Sequence, residues 1–342
     1  MSKFIFGPGA LRFVLSVLVV VEHASRYKVG VVAVMAFFVL SGYWVTLVYE
    51  RSHAHATGGV PIFYLSRAMR VFPLYLVIFL IVAALASLVA MPLQPDVWVA
   101  LPILGVASHG KDIIGVTWSL DIELQFYLLL PLLIMILRWP RGRQGQGWGI
   151  LAGALLLSWL LGLVLASRYG VLSILLYLPV FLFGVATYLF DFRISQSQAR
   201  MSLLLFLLMG FVVLSLPGTR DLLLHGRGSR LSDALFAMYW CIPLLPFIAY
   251  NVRQPSDTRD RFLGDLSYPI YLVHFPLVSL AGALLGRDMA SWEKLIYLGV
   301  VLLVSVVVYH LVDRRSEVFR HRFIRQLLGR QGSPSRAPSV GE

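Results

Sequence analysis

Long apolar runs separated by short polar connections dominate this chain from its first residues almost to its last. A helix needs about 20 mostly apolar residues to cross a bilayer. Ten runs meet or approach that length, and they fall at roughly 5–25, 30–50, 71–91, 115–137, 148–167, 171–190, 201–217, 231–250, 266–286 and 292–312. The pattern predicts an all-α integral membrane protein, a bundle of about ten transmembrane helices.

The connections between these runs indicate how the bundle is oriented. Lysine and arginine collect in cytoplasmic loops. With both termini cytoplasmic, the inner segments carry 20 of the 29 Lys and Arg and the outer segments carry 9, although the outer loop 218–230 holds three Arg. A shorter apolar piece, 97–107, is interpreted as re-entrant or interfacial. Counting it as a span would place the three arginines of 138–143 outside, which the charge rule disfavours.

The amino-acid composition agrees with a chain that is surrounded mostly by lipid. Hydrophobic residues make up 58% of the chain and charged residues 13%, whereas a soluble domain carries about 25% charged residues. The net charge of +12 does not indicate nucleic-acid binding, because no soluble segment is long enough to form a basic face. The single cysteine, Cys241, excludes an intrachain disulfide and is expected in the packed core. The sequence also has no Cys/His spacing typical of a metal site.

The chain divides into a transmembrane domain, 1–312, and a basic cytoplasmic tail, 313–342. The first run resembles a secretory signal, but Glu22 and His23 interrupt its end and no small-residue cleavage pattern follows, so we expect an uncleaved helix. The tail contains apolar residues spaced for one helical face, which predicts an amphipathic helix on the inner leaflet: Phe319, Phe323, Ile324, Leu327 and Leu328. The Pro/Ser-rich end, 333–342, is expected to be disordered.

Ionisable residues inside the apolar runs are the first functional candidates, because a charge at mid-depth costs at least ~2.5 kcal/mol on insertion scales. The first run contains Arg12, Glu22 and His23. Ten residues separate Arg12 from His23, which is about 16 Å of helix rise. Arg12 is therefore expected toward the inner side and His23 near the outer end, although both positions also suit interfacial anchors.

The fourth run carries Asp121 and Glu123 in its outer half, directly after Trp118 and Ser119. Two residues along a helix correspond to about 200° of rotation, so at most one of these carboxylates should face a shared cavity. Because the first and fourth runs place ionisable groups at a similar depth, we expect a buried site there.

Arg67 and Arg70 are spaced i and i+3, and they are expected to enter the third helix from its inner side on one face. Two guanidinium groups on one face suit phosphate, but ordinary cytoplasmic charge explains the spacing equally well. His274 lies eight residues into the ninth run, where it serves either a site or an interhelical hydrogen bond. Its depth is expected to differ from that of His23, so a shared haem iron is not expected.

The second run contains Ser41, Gly42 and Tyr43. A Ser-Gly pair inside a membrane helix favours close helix–helix contact, with a place beside a site as the alternative.

Taken in order, these residues resemble the acyltransferase-3 family of membrane O-acyltransferases. Five pieces between about residues 12 and 276 carry the resemblance: Arg12 with His23; Phe38-Val39-Leu40-Ser41-Gly42-Tyr43; Arg67-Ala68-Met69-Arg70 with Pro73; Trp118-Ser119-Leu120-Asp121-Ile122-Glu123 with Phe126-Tyr127 and Pro131; and Ser267-Tyr268 through Tyr271 to His274. The stretch 140–260 has no recognisable motif, and the soluble hydrolase-like domain that some members carry is missing.

The resemblance implies transfer of an acyl group, acetyl by default, from cytoplasmic acyl-CoA to a hydroxyl of a cell-surface or periplasmic glycan, across the inner membrane. It implies His23 as the catalytic group, supported by Glu123. Donor binding is assigned to Arg67, Arg70 and Arg12, and the substrate path to Ser41, Tyr43, Trp118, Ser119 and His274. The implied partners are acyl-CoA as co-substrate, a carbohydrate acceptor and membrane lipid. Neither a bound cofactor nor a metal is expected.

Several alternatives stay open at this point. His23 can act as a general base on the acceptor hydroxyl or accept the acyl group covalently. The same charges could line the pathway of a transporter or of a flippase for a lipid-linked sugar, although no internal repeat is evident. A membrane glycosyltransferase and a pure assembly protein are further alternatives. The acceptor glycan, the acyl chain and the oligomeric state are not predicted.

Overall fold

The computed structural model describes residues 6–25, 27–88, 97–138, 146–216 and 229–331. Regular structure in those ranges is entirely helical. In chain order the helices are α1 (Pro8–Ala24), α2 (Gly30–Ser52), α3 (Gly59–Leu88), α4 (Val106–His109), α5 (Thr117–Arg138), α6 (Gln146–Tyr169), α7 (Ile174–Leu189), α8 (Gln196–Ser215), α9 (Arg230–Cys241), α10 (Leu245–Asn251), α11 (Thr258–Leu285), α12 (Ser291–Val308) and α13 (Arg314–Gln331). A 3-10 turn joins α9 to α10, and a π turn, Tyr309–Asp313, joins α12 to α13.

Within the described residues, eight helical segments are long and apolar enough to cross a membrane: Gly30–Ser52, Gly59–Ser87, Thr117–Arg138, Gly149–Tyr169, Gln196–Ser215, Arg230–Asn251, Thr258–Leu285 and Ser291–Gly329. The helices α1, with 17 residues, and α7, with 16, are shorter. Together these segments coincide with the ten predicted runs, so the all-α integral membrane fold is confirmed. The spanning windows of α6 and α8 are each 17% buried, because most of their apolar side chains face outward, as contact with lipid requires.

Two helices begin well before the runs that predicted them. The start of α3 lies 12 residues before 71–91, and the start of α11 lies 8 residues before 266–286. Hydropathy places a helix start after the last charge, whereas α3 and α11 carry charged residues within their opening turns. Asp260 in the first turn of α11, for example, accepts hydrogen bonds from the Gly9 and Ala10 backbone amides at 3.0 and 2.8 Å.

The helices α2 and α7 cross at a pair of glycines. A Cβ atom at Gly42 would lie 2.2 Å from the Phe181 carbonyl oxygen, and one at Gly184 would lie 2.0 Å from the Val39 carbonyl oxygen. Because no side chain fits at either position, the two backbones approach directly. The expected close helix–helix contact at the Ser-Gly pair is thereby confirmed, and Cys241, 2% exposed, is a core residue as predicted.

The piece 97–107 does not form a spanning helix within the described residues. It contains the 3-10 turn Val97–Ala100 and leads into the single-turn helix α4, both folded back onto the bundle. The Tyr75 hydroxyl donates to the Ala100 carbonyl oxygen at 2.7 Å, and the Asp121 carboxylate accepts from the Gly105 and Ala107 amides at 3.0 and 2.9 Å. The choice of ten runs rather than eleven therefore agrees with the structure.

The described part of the tail is the helix α13, which packs against the start of α3. Arg320 is 7% exposed and donates to the Ser66 hydroxyl at 2.8 Å, and Arg70 donates to the Asp313 carboxylate at 2.8 Å. The tail is thus tied to the bundle through buried polar contacts. The end predicted to be disordered, 333–342, and most of the loop 218–230 lie outside the described residues.

The start of α1 and the helix α13 lie at one end of the bundle, where Arg67 and Arg70 also lie. We call it the arginine end. The other end, where α1 finishes and α2, α5, α7 and α9 begin, is the opposite end.

Candidate active site

The histidines His23 and His274 meet near the opposite end of the bundle. The Nε2 atom of His274 lies 3.3 Å from Nδ1 of His23, and the ring centroids are 5.0 Å apart. The expectation that the two histidines lie at different depths is therefore wrong. Because α11 begins at Thr258, His274 is 16 residues into its helix rather than eight, and this brings it level with the last turn of α1.

Backbone carbonyls assign the tautomers of this pair. Nδ1 of His274 faces the Ile270 carbonyl oxygen at 3.1 Å, and Nδ1 of His23 faces the Val19 carbonyl oxygen at 3.0 Å. A carbonyl oxygen only accepts, so each Nδ1 carries a proton, and Nε2 of neutral His274 accepts from His23. This arrangement leaves the Nε2 lone pair of His23 without a hydrogen-bond partner among the described residues. A positioned base or nucleophile requires such a lone pair.

Glu22, next to His23 in the sequence, stabilises the start of α2. Its carboxylate accepts hydrogen bonds from the backbone amides of Gly30 and Val31, the latter at 3.1 Å. These amides are the unsatisfied donors at the N-terminus of α2, where a negative charge is also favourable. Glu22 therefore fixes the turn between α1 and α2, and with it the position of His23.

The two carboxylates of α5 face opposite sides, as predicted. Asp121 is completely buried and holds the backbone of 105–107, whereas Glu123 faces the interior of the bundle. One oxygen of Glu123 accepts from the Ser41 hydroxyl at 2.5 Å and from the Tyr127 hydroxyl at 2.6 Å.

The structure does not place Glu123 beside His23. His274 occupies the position next to His23 that the resemblance implied for Glu123. Glu123 lies one helical turn beyond Ser119 on α5, toward the arginine end. The predicted support of His23 by Glu123 through direct contact is corrected accordingly, and a catalytic role for Glu123 stays a prediction.

A cavity of about 510 Å³ leads from the arginine end toward the histidine pair. Its deep end is lined by Ser119 and Tyr271, whose hydroxyl oxygens are 2.6 Å apart. The Tyr271 ring in turn lies 5.8 Å from the His274 ring, centroid to centroid. Ser41 and Glu123 line the middle of the same cavity. The cavity therefore connects the arginine end with the layer that holds the histidines.

The arginines that line the mouth of this cavity differ in whether a carboxylate is paired with them. Arg70 is held by Asp313 at 2.8 Å, with Glu317 at 3.9 Å, and Arg320 is also paired with Glu317. Arg67 is 9% exposed, and its Nε atom is buried without a hydrogen-bond partner. Within the described residues no carboxylate lies within ion-pair distance of Arg67.

The same holds for Arg12, which also lines the cavity; no described carboxylate lies within ion-pair distance of it. An unpaired buried guanidinium is costly. Arg67, buried and unpaired, together with the half-buried Arg12 at the same cavity mouth therefore indicates an anion site. The sequence missed Asp313 and Glu317, since an acidic residue after an apolar run looks like an ordinary interfacial charge.

Three residues of the predicted substrate path lie elsewhere. Tyr43 does not line the cavity; it is 7% exposed and packs against Trp44 and Tyr188, with ring centroids 5.2 and 5.8 Å away. Trp118 lines a second cavity at the opposite end of the bundle. His274 lines neither cavity and lies between them. Among the described His, Cys, Asp and Glu side chains, no group of three or more is arranged to hold a metal ion.

The fold and the site together define a polytopic membrane protein with a buried histidine pair that an arginine-lined cavity approaches from one end. A family model described as an acyltransferase domain matches residues 6–310. The chain therefore belongs to the acyltransferase-3 family, and it is an acyltransferase enzyme.

Two curated relatives resemble the chain. Nodulation protein 10 of Rhizobium leguminosarum bv. viciae is 28% identical over 271 residues, which cover 70% of each chain. The peptidoglycan O-acetyltransferase OatA of Listeria monocytogenes is 23% identical over 385 aligned residues, covering 96% of this chain and 58% of that protein. This chain thus spans somewhat more than half the length of the second relative. No solved structure matches the chain.

Proposed function

We propose that this enzyme moves an acyl group, acetyl by default, from a coenzyme A thioester to a hydroxyl of a glycan, with His23 as the catalytic group. One observation carries the proposal: the cavity with unpaired arginines at its mouth ends one aromatic ring from the histidine pair. A donor with an anionic head and a reactive far end fits such a cavity. Glycan and acetyl are supported by the resemblance to a peptidoglycan O-acetyltransferase.

The arginines would bind the phosphates of the donor. Asp313 and Glu317 pair with Arg70 and Arg320, and Arg314 and Asp265, which also line the cavity, carry opposite charges. The net positive charge of the mouth therefore corresponds to Arg67 and Arg12. A guanidinium binds phosphate through two parallel hydrogen bonds. Glu123 lies deeper in the cavity, and its carboxylate would repel phosphate and keep the nucleotide at the mouth.

The depth of the cavity suits the arm that carries the thioester. Arg12 and His23 are 11 residues apart on α1, or about 16 Å of helix rise. Asp265, which lines the mouth, and His274 are nine residues apart on α11, or about 14 Å. The pantetheine arm of coenzyme A is a thin, flexible chain of comparable length, so the thioester would reach Ser119 and Tyr271 while the phosphates stay with the arginines.

The lone pair on Nε2 of His23 would then either accept a proton or attack the thioester during acyl transfer. As a general base, His23 takes the proton of the acceptor hydroxyl while that oxygen attacks the thioester carbonyl carbon. The carbon–sulfur bond breaks, the thiolate leaves as coenzyme A and takes the proton back from His23, and the glycan carries the new ester. In the covalent alternative, Nε2 itself attacks the thioester carbonyl carbon, the carbon–sulfur bond breaks and the coenzyme A thiolate leaves. The acceptor oxygen then attacks the acyl group on the ring, its proton passes to the thiolate, and the neutral His23 ring is released.

The charge distribution supports an assignment of the two sides of the membrane. Most Lys and Arg lie at the arginine end, which would face the cytoplasm, where acyl-CoA is found. The acceptor then lies on the far side of the cytoplasmic membrane, at the end where His23 lies, and both termini are cytoplasmic.

The test uses purified protein in lipid nanodiscs with radiolabelled acetyl-CoA and glycan fractions from the native cell surface. His23→Gln is expected to lower transfer by about 10²- to 10⁴-fold, the usual contribution of a general acid–base group. His55→Gln is the matched control, because His55 is exposed at the arginine end. Transfer by His23→Gln at the wild-type rate would refute the role of His23. Glycan movement without any acyl transfer by the wild type would favour the transporter alternative instead.

A further inference from the structure

A second cavity, of about 400 Å³, opens at the opposite end of the bundle. Its walls come from the first turns of α2, α5, α7 and α9, and from α11. Trp118 and Tyr177 line one side with ring centroids 6.0 Å apart, and Arg230 and Asp233, from the first turn of α9, line another. The second cavity is therefore separate from the arginine-lined cavity proposed to bind the donor, which we call the donor cavity. It faces the other side of the membrane.

The second cavity reaches the histidine pair through a single side chain. Phe275 lines it, and the Phe275 ring lies 5.0 Å from the His23 ring, centroid to centroid, nearly perpendicular at 87°. Gly115 makes this arrangement possible: its φ is +86°, and a Cβ there would lie 2.1 Å from a Phe275 ring carbon. The loop backbone packs directly on the ring, so one phenyl group separates the cavity from His23.

Neighbouring residues on the first turn of α5 face different cavities. Ser119 lines the donor cavity and Trp118 lines the second one. Asp112 fixes this turn, since its carboxylate accepts from the Thr117 amide and from the Thr117 hydroxyl, each at 2.6 Å. The Trp118 ring is thereby held in place beside the layer in which the transfer would occur.

The lining of the second cavity indicates the chemistry of its ligand. Flat aromatic faces such as those of Trp118 and Tyr177 pack well against the C–H faces of a sugar ring, and the polar ends of these side chains remain able to hydrogen-bond. Asp233 and Arg230 offer an acceptor and donors for hydroxyl groups. One guanidinium beside the carboxylates of Asp112 and Asp233 does not make an anion site. A purely apolar ligand does not match a wall that carries the charged side chains of Asp112, Arg230 and Asp233.

We propose that the second cavity binds the acceptor as an uncharged pyranose ring of a glycan, packed on Trp118 with its reactive hydroxyl directed past Phe275 toward His23. This inference rests on the proposed function. It adds the place and the class of the acceptor, and it predicts that donor binding and acceptor binding are separable by substitution.

The first test compares three variants: Trp118→Ala, Trp118→Phe and the control Trp292→Ala, whose side chain is 63% exposed at the same end. Acylation of native surface glycans is measured in cells that lack the wild-type gene, and coenzyme A affinity is measured on the purified variants. Trp118→Ala is expected to lower glycan acylation at least about tenfold, as loss of one buried aromatic anchor does. Trp118→Phe keeps an aromatic face and should lose less acylation than Trp118→Ala. Trp292→Ala should stay within about threefold of wild type, and coenzyme A affinity should not change in any variant.

Acylation at the control level in Trp118→Ala, or a parallel loss of coenzyme A affinity, would overturn the placement of the acceptor while leaving the role of His23 intact. Equal glycan acylation with and without the gene would instead overturn the proposed function, and the inference with it.

A second test needs no knowledge of the acceptor. The chain has one cysteine, and Cys241 is buried. A thiol introduced by Arg230→Cys is expected to react with a membrane-impermeant maleimide added outside spheroplasts. The attached group should block glycan acylation and leave coenzyme A binding unchanged. Reaction from the cytoplasmic side alone, or full activity after labelling, would contradict the proposal.

Discussion

Replacing Arg67 and Arg70, three residues apart on α3, should change stability in opposite directions. Arg67 is 9% exposed and has no carboxylate partner among the described residues. Arg70 is paired with Asp313, whose side chain is 3% exposed. Methionine at either position keeps much of the volume and removes the charge. If Arg67 is held unpaired for a phosphate, its removal should relieve the free protein, whereas removal of Arg70 should leave a buried carboxylate uncompensated.

The magnitudes follow from these contacts. Replacing buried ionic groups by apolar ones is often neutral or stabilising by about 1–4 kcal/mol. The Arg67 guanidinium lies 5.9 Å from the Phe63 ring and 5.8 Å from the Tyr127 ring, and each lost cation–π contact costs about 0.5–2 kcal/mol. Both distances lie at the limit of about 6 Å for such contacts, so the two together offset only about 1 kcal/mol. We therefore expect Arg67→Met to stabilise by roughly 0–3 kcal/mol. Arg70→Met should destabilise by about 3–5 kcal/mol, the cost of breaking a buried pair.

Binding of the donor separates the two variants further. A hydrogen bond to a charged group contributes about 1.5–3 kcal/mol, so losing the Arg67–phosphate contact should weaken coenzyme A binding by roughly 10- to 150-fold. Thermal unfolding in nanodiscs gives the stability change, and calorimetric titration with coenzyme A gives the affinity. Arg193→Met is the control, since its side chain is 79% exposed. If Arg67→Met is as unstable as Arg70→Met and binds coenzyme A normally, Arg67 is a structural residue and the phosphate site is wrong.

Three further outcomes are expected. His274→Phe should lower acyl transfer by only about 2- to 12-fold, the value of one hydrogen bond, since Val19 still holds the His23 ring; transfer kinetics measure this. Gly42→Ala should lower the melting temperature, because the new methyl group meets a backbone oxygen of α7. Thermal stability should also fall as the pH decreases from 7 to 5. Burial holds the pKa of His53 below its ordinary value, so the unfolded chain binds the proton first.

Each outcome has a control. Gly153→Ala lies on an open helix surface and should be neutral or slightly stabilising. His53→Asn should flatten the fall in stability at acidic pH, and His55→Asn, exposed two residues later, should keep it. A loss of activity in His274→Phe as large as that in His23→Gln would mean that His274 takes part in the chemistry rather than in orienting His23.

Apolar run lengths were sufficient to predict the helices, but they were poor at predicting where α3 and α11 begin. Lipid imposes the same length on every span, so each run is visible without knowledge of its neighbours. The start of a helix depends instead on whether a charged side chain finds a partner elsewhere. Asp260 reaches the backbone of α1, about 250 residues away in sequence, and no local pattern records such a contact.

At the candidate site too, relations within one helix were predictable from the sequence, whereas contacts between helices were not. Helical periodicity predicted that Asp121 and Glu123 face apart, because that relation is confined to one helix. The pairing of His23 with His274 depends on the register between α1 and α11, so an eight-residue error in one helix start concealed it. The family resemblance assigned both Ser41 and Tyr43 to the path, yet two residues along a helix point to nearly opposite sides, and of the two only Ser41 faces the cavity.

If the cavity binds an acyl donor as proposed, the same register would also determine which donors fit it. At the arginine end, Asp260 holds the amides of Gly9 and Ala10. About four helical turns away, His274 contacts His23. The same two helices therefore carry both the mouth of the donor cavity and the reacting layer, and their backbones set the distance between them. On the proposed function, a thioester whose phosphates and carbonyl carbon are separated by that distance would place the carbonyl carbon at Ser119 and Tyr271, one aromatic ring from the histidine pair. A shorter carrier could not occupy both positions at once.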